Sequence, residues 1–172
     1  LGFIAVPKNL RDFLSKMKAV GSETFSSVSG PIQYAAIEAY TGDYTDYIVK
    51  TRSILNSIGR YVYANLKSNN VLINPPQGAF YLMPEFINSK FKTSLELCDA
   101  ILNDTGVALL PGSSFGFNKN KMLTRLSYTD FDGGQFLKNI SGSEKLGDDV
   151  IEKYAPNIVE GTNKLSEWSK NL

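Results

Sequence analysis

The chain opens on an almost unbroken apolar run, Leu1-Gly2-Phe3-Ile4-Ala5-Val6, closed by Pro7. A short apolar run bounded by a turn residue predicts a buried strand over residues 1–6. The period then changes. Leu10, Phe13, Leu14 and Met17 recur at helical spacing, which predicts a helix capped by Asn9, running through Val20 and stopped by Gly21. Residues 22–30 are rich in Ser, Thr and Gly and are expected to form a loop. Pro31 suits the first turn of a second helix carrying Ile32, Ala35, Ala36 and Ala39, ended by Gly42. The longest periodic stretch follows, from about Tyr44 to Leu66. Ile48, Leu55, Ile58, Val62 and Leu66 mark its apolar side, and Lys50, Arg52, Arg60 and Lys67 its wet side. At a rise of 1.5 Å per residue this helix is about 30 Å long, enough to reach from one domain to the next.

Beyond residue 70 the pattern breaks into short runs. Val71-Leu72-Ile73 predicts a strand, Pro75-Pro76-Gln77-Gly78 a turn, and residues 79–83 another strand. Ser94 is placed to cap a helix through Asp104 that packs Leu95, Cys98, Ile101 and Leu102. Residues 107–110 predict a short apolar strand ended by Pro111-Gly112, and residues 122–128 alternate as a half-buried strand. The tail, residues 148–171, is helical with a break before Pro156, and presents Ile158, Leu165 and Trp168 on one face. The organisation is a piece of one domain (1–42), a connecting helix (43–69) and a domain of mixed helix and strand (70–172).

Composition narrows the chemistry. Of 172 residues, 18 are Lys or Arg and 17 Asp or Glu, a net charge of +1. That balance argues against nucleic acid or an anionic membrane as partner, since both require concentrated positive charge. Histidine is absent, which removes Ser-His and Cys-His nucleophile pairs and His-containing metal sites. The single cysteine, Cys98, leaves no intrachain disulfide and no Cys-rich metal site. The longest apolar runs fall far short of the roughly 20 residues that span a bilayer, and no basic segment precedes an apolar one as in a signal peptide. A cytoplasmic location is expected. The first residue is not Met and lies within an apolar run, so residue 1 is expected to be a cut through a larger protein.

Two segments carry candidate chemistry. Gly112-Ser113-Ser114-Phe115-Gly116 follows a predicted buried strand, where α/β proteins place ligands. No Gly-Lys-Ser/Thr follows it, so a tight turn is the simpler reading than a phosphate cradle. Ser113 and Ser114 lack a histidine to activate them. Arg125, in Met122-Leu123-Thr124-Arg125-Leu126-Ser127-Tyr128, is different. Alternation sets Leu123, Arg125 and Ser127 on one side of the strand and Thr124, Leu126 and Tyr128 on the other. An arginine in mid-strand either meets an anion, with its planar fork matching a carboxylate through two parallel hydrogen bonds, or reaches solvent from an edge strand. Asp130, Asp132 and Asp148-Asp149 lack a calcium-loop context and are expected to serve turns and helix caps, not a metal.

Several segments occur in an order that resembles one family. They are Leu1-Gly2-Phe3, Ser29-Gly30-Pro31-Ile32-Gln33-Tyr34-Ala35-Ala36, Pro76-Gln77-Gly78-Ala79-Phe80-Tyr81, the stretch 106–116, and Leu123-Thr124-Arg125-Leu126-Ser127-Tyr128. Together they resemble the C-terminal half of a class I/II aminotransferase, a pyridoxal-phosphate-dependent enzyme of fold type I. The likeness covers essentially the whole chain, through Tyr154-Ala155-Pro156-Asn157-Ile158-Val159-Glu160-Gly161. It implies an α/β fold in which residues 1–42 end the large cofactor-binding domain, 43–69 form the interdomain helix and 70–172 the small α+β domain.

The resemblance also implies roles. Arg125 matches the arginine that holds the substrate α-carboxylate, and Phe115 lines the same pocket as an apolar wall. Residues 26–29 match a loop that approaches the neighbouring subunit's cofactor phosphate, which makes Ser27 and Ser29 cofactor-binding candidates in a homodimer. The Schiff-base lysine and the phosphate-binding arginine of the family precede the position of Leu1, so no catalytic residue is expected within the chain. Lys8 and Lys16 follow the Leu-Gly motif and do not replace them. The implied partners are amino-acid and 2-oxo-acid substrates. Residues 19–33 hold no second arginine of the kind dicarboxylate-specific members supply, so aspartate specificity has no support there. A carbon–sulfur lyase, an aminocyclopropane-carboxylate synthase type enzyme and a non-catalytic binding or dimerisation module remain as alternatives.

Overall fold

The computed structural model describes residues 1–25, 27–142 and 145–172, and divides into two units, Leu1–Tyr44 and Thr45–Leu172. In the first unit a 3₁₀ turn (Lys8–Leu10) leads into α1 (Arg11–Thr24), and α2 (Gly30–Thr41) follows. Residues 1–7 form no strand, contrary to the apolar pattern. A strand needs a hydrogen-bonded neighbour, and no described residue pairs with this segment. Leu1, Phe3 and Ile4 are exposed; Phe3 lies edge-on to Tyr40, with ring centroids 5.9 Å apart. Asn9 does not cap α1, and Gly21 does not stop it. The helix runs on to Thr24, whose hydroxyl donates to the Val20 carbonyl at 2.8 Å, which shortens the expected loop. Pro31 does sit in the first turn of α2.

Neither α1 nor α2 buries a single residue. Helices without a packed face have little beyond their own backbone bonds to hold them. Hydrogen exchange on the isolated chain is therefore expected to show amides of Leu1–Tyr44 opening at close to 0 kcal/mol, while those of the second unit's core helices require global unfolding. Strong protection of residues 2–6 in a monomeric sample would overturn this.

The second unit begins with α3 (Thr45–Leu66), which buries Ile54, Ile58, Tyr61, Val62 and Leu66. Ile48, expected on that face, is exposed instead. Gly59 lets the helix approach closely: a Cβ there would lie 2.8 Å from the Tyr128 ring. Short strands follow: β1 (Val71–Leu72), β2 (Tyr81–Leu82) and β3 (Glu85–Phe86). Then come α4 (Ser94–Thr105), β4 (Leu110–Pro111), a 3₁₀ turn (Gly112–Phe115) and β5 (Thr124–Ser127). The chain closes with α5 (Gly133–Asn139), α6 (Asp148–Tyr154) and α7 (Pro156–Ser169).

All pairings are antiparallel. β1 pairs with β3, and β5 lies between β2 and β4. The expected strands 79–83 and 122–128 shrink at both ends, 71–73 loses its last residue, and 107–110 is replaced by Leu110–Pro111. Ala79, at φ 56°, turns the backbone out of the extended region, and its carbonyl accepts a hydrogen bond from the Tyr128 hydroxyl at 3.1 Å, so β2 starts only at Tyr81. The cap of α4 is Thr93 rather than Ser94: its hydroxyl accepts from the Glu96 amide at 3.2 Å. Leu95 and Leu102 are exposed, and Leu97 takes the core position beside Cys98 and Ile101. Gly106, at φ 76°, ends α4 in the left-handed conformation. Asp132 acts as the cap it was expected to be, accepting from Gly134 and Gln135 amides and starting α5, a helix the sequence pattern does not announce. The break before Pro156 separates α6 from α7.

The helices enclose one core, centred on Ile58, Val62, Leu97, Ile101, Phe136 and Leu165. Trp168 closes its rim, stacked on Phe91 and donating its indole N–H to Asp104 at 2.8 Å. No helix among the described residues is long and apolar enough to cross a membrane.

Candidate substrate-carboxylate site

The middle strand β5 positions Arg125. Its hydrophobic face carries Thr124 and Leu126 into the core, both buried, so Arg125 points the other way and stays half-buried. It sits opposite Leu110 of β4, while on the other side Tyr81 of β2 sits opposite Ser127. Tyr81 is thus a diagonal neighbour on Arg125's own face, within reach of a long side chain.

The opposite flank is built by the turn after β4. The Gly112 amide donates to the Leu123 carbonyl at 2.7 Å, and a Cβ at Gly112 would lie 2.8 Å from that same oxygen. Only glycine lets the chain approach so closely. Gly116, at φ 83°, closes the turn with its amide bonded to Ser113. The result sets the Phe115 ring over β5. The guanidinium carbon of Arg125 lies 4.4 Å from the Tyr81 ring centroid and 4.4 Å from that of Phe115. Two rings, one from β2 and one from the turn after β4, therefore approach one guanidinium. Each such contact contributes on the order of 0.5–2 kcal/mol, depending on how far water is excluded.

Among the described residues no carboxylate lies within ion-pair distance of Arg125. Glu85, on the neighbouring β3, is taken by Lys121 at 3.2 Å. The arginine thus keeps its N–H donors for an outside anion, and its fork is the geometry that receives a planar carboxylate through two parallel bonds.

The other expected positions fall as follows. Phe115 is brought to Arg125, in contact with the arginine rather than merely lining a wall. Ser27 and Ser29 lie in the other unit, both exposed; the Ser29 carbonyl accepts from Gln33 at the start of α2, with no side-chain capping bond. Ser26, part of the same expected loop, lies outside the described residues. The Ser113 hydroxyl accepts from the hydroxyl of Ser94, the first residue of α4, at 3.3 Å. Tyr81 is the member of the site that the sequence pattern missed. Its signal was the pairing of Tyr81 and Leu82 with Ser127 and Leu126, which no local period contains.

Cofactor chemistry is not completed here. Three amides of the Gly112–Phe115 turn and its exit are bonded, Gly112 to the Leu123 carbonyl, Gly116 to Ser113 and Phe117 to Gly112. The site's Arg125, Tyr81 and Phe115 offer no amine. The guanidinium of Arg125 offers donors to a planar anion. Among the described residues no cluster of His, Cys, Asp and Glu is arranged to bind a metal, and burial pushes the Cys98 thiol up to about 11, far from the reactive thiolate range.

Comparison with known proteins points the same way. The family described as aminotransferase class I and II matches residues 1–133. A probable N-acetyl-LL-diaminopimelate aminotransferase of Bacillus subtilis is 36% identical over 115 residues, covering 67% of this chain and 28% of that protein. An aspartate aminotransferase of a Bacillus species is 34% identical over 110 residues, covering 61% of this chain and 28% of its own length. An alanine aminotransferase structure from Pyrococcus furiosus superposes with a TM-score of 0.67 over 95% of this chain and 34% of that one, at 21% identity. The chain thus spans under a third of the length of the curated relatives just described. The fold is that of the fold-type I aminotransferases.

Proposed function

Since the chain belongs to the aminotransferase class I and II family, we propose that it forms the carboxylate-binding, C-terminal part of an enzyme that moves an amino group between an amino acid and a 2-oxo acid. Pyridoxal phosphate is general to the family, and its Schiff-base lysine and phosphate-binding arginine lie outside these 172 residues. Residues 1–42 end the large domain, 43–69 link, and 70–172 make the small domain. The working form is a homodimer in the cytoplasm, in which Ser27 and Ser29 approach the neighbour's cofactor phosphate.

The observation that carries this reading is the unpaired, ring-flanked guanidinium of Arg125. An amino-acid donor and a 2-oxo-acid acceptor differ at Cα but share the α-carboxylate. One fork therefore serves both half-reactions, fixing each substrate by the end that does not react. Phe115 adds an apolar surface beside it.

The test is amino-group transfer by the full-length enzyme loaded with pyridoxal phosphate. One equivalent of donor consumed is expected to yield one of its 2-oxo acid and one of aminated acceptor. Release of ammonia, sulfide or a cyclised product without amination of the acceptor would overturn the assignment.

A further inference from the structure

We infer that Tyr81 is a positioning residue: its ring, not its hydroxyl, holds the Arg125 fork ready for the substrate carboxylate. The inference rests on the reading of Arg125 as the carboxylate ligand and goes beyond it.

An arginine side chain has four rotatable bonds, and freezing it on binding costs affinity unless something else has already fixed it. A carboxylate partner is the common way to fix it, but would occupy the donors that the substrate needs. No described carboxylate does so here. Aromatic faces restrain the guanidinium without taking an N–H. Tyr81 supplies one at 4.4 Å from the guanidinium carbon, from a strand whose register against β5 is fixed by the pairs Tyr81 to Ser127 and Leu82 to Leu126. The Tyr81 ring is itself backed by Phe80, with centroids 4.4 Å apart. Its hydroxyl makes no hydrogen bond to any described residue. Phe115 closes the other flank at the same distance.

The ring's work is on the arginine, so its loss acts wherever the carboxylate is bound, in ground and transition states alike. In the full-length, cofactor-loaded enzyme, Tyr81→Leu is expected to raise KM for the amino acid and for the 2-oxo acid alike, by about 5- to 30-fold, with kcat changed less than threefold. Tyr81→Phe restores the wild-type KM, because the ring returns without the hydroxyl. In an Arg125→Lys background the Tyr81→Leu effect shrinks to less than twofold, since the stacked plane is already gone. Tyr81→Ile, which suits a strand and lacks a ring, repeats the result if the leucine variant fails to fold. The inference is overturned if Tyr81→Leu and Tyr81→Ile leave KM unchanged while Arg125→Lys raises it, or if they lose as much in the lysine background as in the wild type. If Arg125→Lys itself leaves both KM values unchanged, the carboxylate assignment falls and this inference with it.

Discussion

Arg125→Lys in the full-length enzyme is expected to lower kcat/KM for every amino-acid and 2-oxo-acid substrate by roughly 30- to 4,000-fold, corresponding to about 2–5 kcal/mol for breaking one side of a buried charge pair. Lysine keeps the positive charge and reaches a similar distance. What it loses is the planar fork, so one bond replaces two, and the flat surface that Tyr81 and Phe115 flank at 4.4 Å each. A compact ammonium between two rings is also more strongly hydrated and recovers less of the contact. Pyridoxal phosphate content and the absorbance of the bound cofactor are expected to remain at wild-type values, because Arg125 is assigned to the substrate. Steady-state kinetics with the cofactor stoichiometry measured on the same sample decides the matter. Near wild-type kcat/KM would make Arg125 a structural arginine, and loss of cofactor in parallel with activity would move its role to the cofactor.

The part of this site that was legible in the sequence was the part written locally. Alternation over residues 122–128 is a property of one strand, and it put Arg125 opposite the buried Thr124 and Leu126, where the structure has it. Caps and breaks were equally local: Asp132 before α5, Pro31 within the first turn of α2, and the break before Pro156. Three local readings also failed, the Asn9 and Ser94 caps and the Gly21 stop; the errors of contact have a different cause. Tyr81 reaches Arg125 through a register that joins residues more than forty positions apart. Residues 1–6 carry a strand's composition, but composition alone makes no ladder without a partner, and none is found among the described residues. Ile48 and Leu95 have the spacing of core positions and remain exposed, because a helix several turns long presents its stripe only where another element covers it. Local period names a face; what meets that face is decided elsewhere in the chain.

The same division predicts that the 172-residue chain, given pyridoxal phosphate, forms no specific internal Schiff base. A site-specific imine needs an amine held out of water beside groups that fix the cofactor's phosphate, so that one lysine outcompetes all others. No lysine of this chain is buried. Lys8 stands on a 3₁₀ turn and Lys16 on α1, both exposed. Lys50, the most sheltered, is half-buried and bound to Asp46 at 3.3 Å, and Lys121 is held by Glu85. In the turn after β4, the amides of Gly112, Gly116 and Phe117 are bonded to Leu123, Ser113 and Gly112. Reaction with free cofactor is therefore a matter of exposed amines competing at similar rates. Borohydride reduction followed by peptide mapping is expected to find label spread over several lysines at low occupancy, rising in proportion to cofactor concentration without saturation, and transamination by the isolated chain at the level of free pyridoxal phosphate. A single lysine labelled stoichiometrically, with saturation at micromolar cofactor, would show that the chain holds a catalytic amine of its own, and the assignment of that role to residues outside it would be wrong.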